Sequence, residues 1–440
     1  MKEEFLHYLW KYGLFDKDSL ADGEGNKITV LSSGEYNRDG GADFFNARII
    51  IGPTEWAGNI EIHIDSSQWD IHGHNSDHKY DNVILHLVFR DNKVVYTASG
   101  NIVTTVEIKF EASMFEKYAE YLNKPYIIAC EDELEYVNKV FINQWLTSLV
   151  VERLEKKSEI IAHVLFQTGN DWEETLYRII ARYFGFRVNT EPFEILASSL
   201  PNKIIKKHAD NRFQVEALLF GMAGMLEEGL FKDAINDTYF KSLGKEFKIL
   251  NAKYALSPMH GWLWNFHRLR PANFPTLRLS QMASFLFSSN GLFSKIMETD
   301  EIETLKEIFR VQSSDYWNNH YVFGKQSKGN TKHTGAQALD IMLINSVIPV
   351  IYTFGKTRDD SLYKEKAVNF LDQIPPENNS IINEWKATGL KVSSAFYSQG
   401  LIQLRNQYCK KRLCLSCRIG CKLISSGRIL RSAEDMILEP

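Results

Sequence analysis

Cysteine is scarce in this chain, five in 440 residues, and four of the five crowd between Cys409 and Cys421. That distribution excludes a disulfide framework, which needs cysteines spread through a small secreted domain. Uninterrupted apolar runs are missing too. The most apolar window, Gly335 to Gly355, is broken by Gln337, Asp340, Asn345 and Pro349. Each is costly in lipid, so the window reads as a buried core helix and no membrane partner is expected. An excess of positive charge is also absent: 51 Lys and Arg against 55 Asp and Glu leave a net charge of −4, which excludes bulk affinity for nucleic acid. The opening Met-Lys-Glu-Glu-Phe-Leu-His has acids at once and no apolar stretch. No secretory signal is expected, and the protein is read as cytoplasmic.

What is present is ordinary globular material, 44% apolar and 24% charged, long enough for two or three domains. After an amphipathic helix at Glu3 to Tyr12, β-branched alternation predicts strands at Lys27–Leu31, Asn46–Gly52, Gly58–Asp65, Asn82–Arg90, Lys93–Ala98 and Ile102–Phe110. Asp91-Asn92 reads as a tight hairpin turn, and Val83 to Phe89, apolar apart from His86, as a central strand covered on both faces. After Glu111 the period changes from 2 to 3.6, and from about Glu131 to Cys409 roughly ten helices and no strand are expected. The resulting class is α+β: residues 1–112 a sheet-containing domain, 113–400 an all-α domain and 401–440 a basic, cysteine-rich tail. Asn123 to Leu134, with Pro125, is the expected link between the halves.

The densest supply of metal ligands lies between Asp43 and Asp77. Ile60, Ile62 and Ile64 alternate with Glu61, His63 and Asp65, so Glu61 and His63 point the same way from a strand. With Asp43 on the preceding strand, Asp43 and Glu61 form a carboxylate pair suited to Mg²⁺, which takes oxygen ligands and keeps waters. His63 stands beside them, able to orient water or take its proton, and Glu3 or Glu4 can add an acid. This assigns Asp43, Glu61 and His63 catalytic roles in a phosphodiesterase. A second grouping, His72, His74 and Asp77, has two imidazoles at i and i+2 with an oxygen nearby, an arrangement zinc accepts in a hydrolase. Five of the twelve histidines, His63, His72, His74, His78 and His86, fall within 24 residues. A polar strand face that merely meets water is the plainer account of the first grouping, and a satisfied core histidine that of His86.

The third grouping is Cys409, Cys414, Cys417 and Cys421, spaced C-x4-C-x2-C-x3-C. Thiolates at such spacing hold Zn²⁺ or an iron–sulfur cluster, whereas Cys130 reads as a small hydrophobe. From Arg405 to Arg431 there are eight Lys or Arg and no acid, a run that suits DNA or RNA phosphates or is simply solvated. Trp262, Trp264, His267, Arg268, Arg270 and Arg278 mix aromatics with cations, as base-stacking surfaces do, yet read more simply as core aromatics with snorkelling arginines.

Gly41-Ala42-Asp43-Phe44, Gly58-Asn59-Ile60-Glu61-Ile62-His63, Trp69 to Asp77, Asp81 to His86, Asn273 to Leu279, and Tyr408-Cys409 through Arg418-Ile419-Gly420 together resemble one bacterial family, a domain of unknown function, over nearly the whole chain. The resemblance implies that sheet domain, helical domain and cysteine tail occur as one unit. Its pattern ends Cys-x4-Cys-x2-Cys before Ile-Gly, matching Cys409, Cys414 and Cys417 and leaving Cys421 outside. The N-terminal order of helix, strand, strand with Asp, strand with Glu-x-His, short helix and buried strand resembles the PD-(D/E)XK nuclease fold. That likeness implies Mg²⁺-dependent cleavage of nucleic acid, with His63 in place of the usual Lys and Ala42 in place of Pro. A non-catalytic interaction module on a degenerate nuclease fold is the remaining alternative.

Overall fold

The computed structural model describes residues 1–37, 39–289 and 291–426. Among the described residues two compact units emerge, one within 1–145 and 404–440 and one within 146–403. These spans differ from the expected ones: the segment from Ala112 to Trp145 and the cysteine-bearing segment both belong with the sheet. Asn123 to Leu134 therefore lies inside the first unit.

The first unit starts with helix α1 (Glu3–Tyr12), closed by Gly13 in a left-handed conformation (φ 62°) whose amide returns to Leu9 and Trp10. Strands β1 (Ile28–Ser32), β2 (Glu35–Tyr36), β3 (Phe44–Ile51), β4 (Thr54–Asp65), β5 (Val83–Arg90) and β6 (Thr105–Glu107) form a mixed sheet. Its order is β1-β3-β4-β5-β6, with β2 also on β3. The β1–β3 and β3–β4 pairs are antiparallel, whereas β4–β5 and β5–β6 are parallel. A parallel pair needs a crossover, and between β4 and β5 helix α2 (Gln68–Ile71) and two 3₁₀ turns, His74–Ser76 and His78–Tyr80, supply it. β4 is not half-exposed: Ile60 and Ile62 are buried, and so are Glu61 and His63 on the opposite face.

The expected hairpin at Asp91-Asn92 is absent, and Lys93–Ala98 is not a strand. Local turn chemistry loses there to a tether at the end of β4. The amides of Asn92 and Lys93 donate to Ser66 Oγ at 2.9 and 2.8 Å, and Ser67 N donates to Asn92 Oδ1 at 3.0 Å. The chain is thereby led away from β5 and returns parallel to it as β6, shorter than the expected Ile102–Phe110 strand. Helix α3 (Ala112–Asn123) follows, and helix α4 (Lys139–Gln167) begins shortly before the end of the first chain segment of this unit.

The second unit is helical around one large apolar core that includes Leu176, Phe184, Leu218, Phe285 and Ile351. The helix Trp172–Phe184 starts with Asp171 accepting from Glu174 N and stops at Gly185. More helices form than the ten expected, because short ones such as Asn202–Lys206 and Leu292–Glu298 carry too few turns to show a period. A two-stranded hairpin, His320–Val322 with Lys325–Gln326, also breaks the expectation of no strand. Residues Ala336–Thr357 form one helix with a π turn at Leu343–Val347; it is long and apolar enough to cross a membrane, but 78% of its apolar window is buried in the protein. Trp264 is buried and donates to Ala223 O, and Arg278 is buried against Asn273 and Gln281, so these members of the aromatic–arginine set serve the core.

Candidate metal centre

β4 projects Glu61 and His63 to one side, as a two-residue period requires. The parallel register sets Glu61 opposite His86 of β5. His72 ends α2, and Gly73 (φ 77°) turns the chain so that His74 faces back to the sheet. A residue with a side chain seldom adopts that conformation, so Gly73 is what allows two imidazoles two residues apart to serve one point. Trp69 and Tyr80, both buried, wall the group, and Tyr80 stacks on His74 at 3.8 Å between ring centroids.

His63, His72 and His74 each offer a ligand atom, and these atoms lie within 4.8 Å of one another. His63 Nε2 is 3.0 Å from His72 Nδ1 and 3.6 Å from Glu61 Oε1. His74 Nε2 is 3.1 Å from the same Glu61 oxygen, yet it is buried without a well-formed hydrogen bond. A buried imidazole nitrogen left without a directed partner costs free energy unless something else is bound there. His63 and His74 are buried and His72 is exposed, so the group opens to solvent on one side.

The tautomers are assigned from the hydrogen-bond network. Thr105 Oγ1 donates to Val103 O at 3.3 Å and accepts from His86 Nδ1 at 3.4 Å, which leaves His86 Nε2 as an acceptor. His63 Nδ1 donates to it at 2.8 Å, and the lone pair of His63 Nε2 therefore faces His72, His74 and Glu61. Ligating histidines characteristically spend their second nitrogen in this way. Burial, then the neighbouring imidazoles, push His63 down to about 2, and burial with His74 pushes His86 down to about 3. Both rings are neutral, the state a ligand needs.

Asp43 and Glu61 are brought together. The amide of Asp43 donates to Glu61 Oε2 at 3.2 Å, and Asp43 Oδ2 accepts from Ile62 N at 2.9 Å. Burial raises the Glu61 carboxyl, the adjoining His74 ring opposes this, and the charge of Asp43 adds to the rise. His7 on α1 stands with Nε2 3.3 Å from Asp43 Oδ2. Burial lowers His7, but the bond to Asp43 and the charges of Asp43, Glu3 and Glu61 outweigh it and leave the ring raised. Tyr80, pushed up to about 12 by burial and by the charges of Glu61, Asp77 and Asp43, stays neutral.

The two sequence groupings thus meet in one place, with exceptions. Asp77 turns to cap the next 3₁₀ turn, accepting from Lys79 N at 3.0 Å, and His78 pairs with Asp81 at the surface. Glu3 accepts from Gln68 at 3.1 Å. His7 and His86 were not singled out as site residues by the sequence. For His86 a signal existed, the lone polar residue in an otherwise apolar strand; for His7 there was none beyond one histidine on an amphipathic helix. Of the cysteines, Cys417 is buried and Cys409, Cys414 and Cys421 are partly so, all with free thiols. In the basic run, Arg412 bonds the carbonyls of Ile127 and Lys124 and Arg418 covers the Trp145 ring, while Arg428 and Arg431 lie outside the described residues.

A family model described as "Protein of unknown function (DUF2851)" matches residues 3–380. The chain belongs to this family. The match spans all six sheet strands, the histidine group and most of the helical unit, and stops before the cysteine cluster. No curated protein and no solved structure gives a significant match.

Proposed function

We propose that this DUF2851 chain is a metal-dependent phosphodiesterase whose ion is a nitrogen-preferring divalent cation of the zinc class. The observation that carries the reading is the convergence of His63, His72 and His74 to within 4.8 Å, with Glu61 against two of them. Three protein ligands with one side open is the arrangement of a hydrolytic rather than a closed structural site. Imidazole suits zinc and its neighbours, whereas Mg²⁺ on Asp43 and Glu61 alone would leave three imidazoles unused. Such an ion, when bound, polarises a phosphoryl oxygen and makes water more acidic.

The chain's own groups then have separate tasks. Glu61, its carboxyl raised by burial and held by the Asp43 amide, accepts the proton of the attacking water. As water oxygen bonds to phosphorus, the P–O bond to the leaving alcohol breaks, and that alcohol is protonated. His7, whose protonation Asp43 favours, is the donor placed nearest the carboxylate pair. His86 holds the tautomer of His63. The choice of a phosphodiester rests on the resemblance of the sequence to a nuclease fold; α1, β1, the short β2, β3 led by Asp43, β4 with Glu61 and His63, α2 and β5 follow in chain order.

Hydrolysis of bis(p-nitrophenyl) phosphate and of single- and double-stranded DNA and RNA, with Zn²⁺, Mn²⁺ or Mg²⁺ added to stripped protein, tests the proposal. Turnover with Zn²⁺ or Mn²⁺ that Glu61→Gln lowers by roughly 10²-fold or more, metal still bound, is expected. Activity with Mg²⁺ alone, unchanged in His72→Ala, would return the ion to the carboxylates. Bound metal without turnover on any of these substrates would remove the phosphodiesterase reading.

A further inference from the structure

The cysteines divide differently from their sequence spacing. Cys421 Sγ donates to Leu415 O at 3.0 Å, and its own carbonyl accepts from Tyr8 at 2.9 Å, so this thiol is turned to a backbone partner. Cys417 is the N-cap residue of the helix Arg418–Ser425, which sets its sulfur at a helix N-terminus. Helix N-termini favour a thiolate. Gly420 also lies so close to Cys414 that an added Cβ would stand 2.4 Å from the Cys414 carbonyl oxygen. Glycine is thus required where the two cysteine-bearing turns meet. Trp145 is 8% exposed, its buried Nε1 has no hydrogen-bond partner, and the Cys417 sulfur is its neighbour. An indole N–H beside sulfur is an outer-sphere contact open to a thiolate centre.

A fourth thiol arrives from far along the chain. Arg412, in a left-handed conformation (φ 57°), bonds the carbonyls of Lys124 and Ile127 and so clips the loop between Cys409 and Cys414 onto the segment that leads to Cys130. Cys130 stands three residues beyond Ile127, whose carbonyl Arg412 holds, which brings its thiol into the neighbourhood of Cys409, Cys414 and Cys417. We propose that Cys130, Cys409, Cys414 and Cys417 form a four-thiolate metal centre, with Cys130 and not Cys421 as the fourth ligand, that fastens residues 409–420 to residues 124–130. In the metal-free protein these four are free thiols. Binding expels their four protons to solvent, and the cation then offsets the charge. Among the described residues the sulfurs do not close to the 4.8 Å spacing that the three imidazoles meet, so a bound centre draws the thiolates inward or bridges them with several metal atoms.

The test uses the full chain in a His63→Ala background, so that the histidine group contributes no metal, purified without oxygen and analysed for zinc, iron and acid-labile sulfide. Iron with sulfide identifies a cluster and zinc without sulfide a single ion; either supports the ligand set. Cys130→Ser should keep less than about a tenth of the parent's metal, and Cys421→Ser should keep it within about twofold. Native thiol labelling covers the case in which Cys130→Ser fails to fold. In the unsubstituted cysteine set, Cys421 should react first, and metal stripping without denaturant should expose the other four together. Metal-free parent, loss in Cys421→Ser with retention in Cys130→Ser, or labelling unchanged by stripping would each overturn the proposal.

Discussion

Replacing His86 by Phe isolates the part of the account least visible in the sequence. His86 is fully buried, rings with Trp69 at 5.1 Å between centroids, and accepts from His63 Nδ1 at 2.8 Å. Phenylalanine keeps a ring in that space and removes the acceptor. The His63 N–H would then be buried unpaired, which costs about 1–3 kcal/mol of stability in the metal-free protein. Loss of an outer partner lowers metal affinity roughly 10- to 100-fold, or about 1.4–2.7 kcal/mol. Denaturant unfolding with chelator present reads the first quantity. Chelator competition for Zn²⁺ in a Cys414→Ser background reads the second. His86→Gln, whose amide oxygen still accepts, should recover most of both. A His86→Phe protein that binds Zn²⁺ as tightly as its parent, while His63→Ala does not bind, would refute the tautomer argument.

Three further outcomes follow from the same geometry. His72→Ala removes an exposed ligand, so stability without metal should stay within about 0.5 kcal/mol while zinc binding is lost; unfolding and zinc titration together check this. Gly58→Ala places a Cβ 2.4 Å from Ile84 Cγ2 and 2.6 Å from Asn82 O, a backbone clash beside the site, and should cost about 1–3 kcal/mol or more in the unfolding transition. Glu216→Ala in the helical unit strands the buried donors Trp317 Nε1, Ser314 Oγ and Tyr239 OH. It should destabilise by about 3–5 kcal/mol, with metal content unchanged at both proposed centres.

Much of the first unit was legible because its signals are local. Strict alternation at Ile60, Ile62 and Ile64 located β4 and set Glu61 and His63 on one side. The Asp91-Asn92 turn failed as a signal because a neighbouring contact, Ser66 with the amides of Asn92 and Lys93, outweighed a two-residue preference. The merger of the two ligand groupings was hidden for a related reason. Whether His72 and His74 approach His63 depends on the reversal at Gly73 and on the crossover to a parallel β5, and neither follows from spacing alone. Asp77 matched a ligand by type and distance along the chain, but the free amide of Lys79 took its carboxylate. Cys130, far from the other cysteines in sequence, carried no local mark of its proximity to them.

The central claim is that three histidines hold one ion. An anomalous-scattering map of crystals of the full chain soaked in Zn²⁺, recorded at the zinc edge, tests it most directly. The account predicts a peak about 2.0–2.1 Å from a nitrogen of each of His63, His72 and His74, with Glu61 adjacent. A map with no peak between those rings, or with zinc at the cysteines alone, would contradict it.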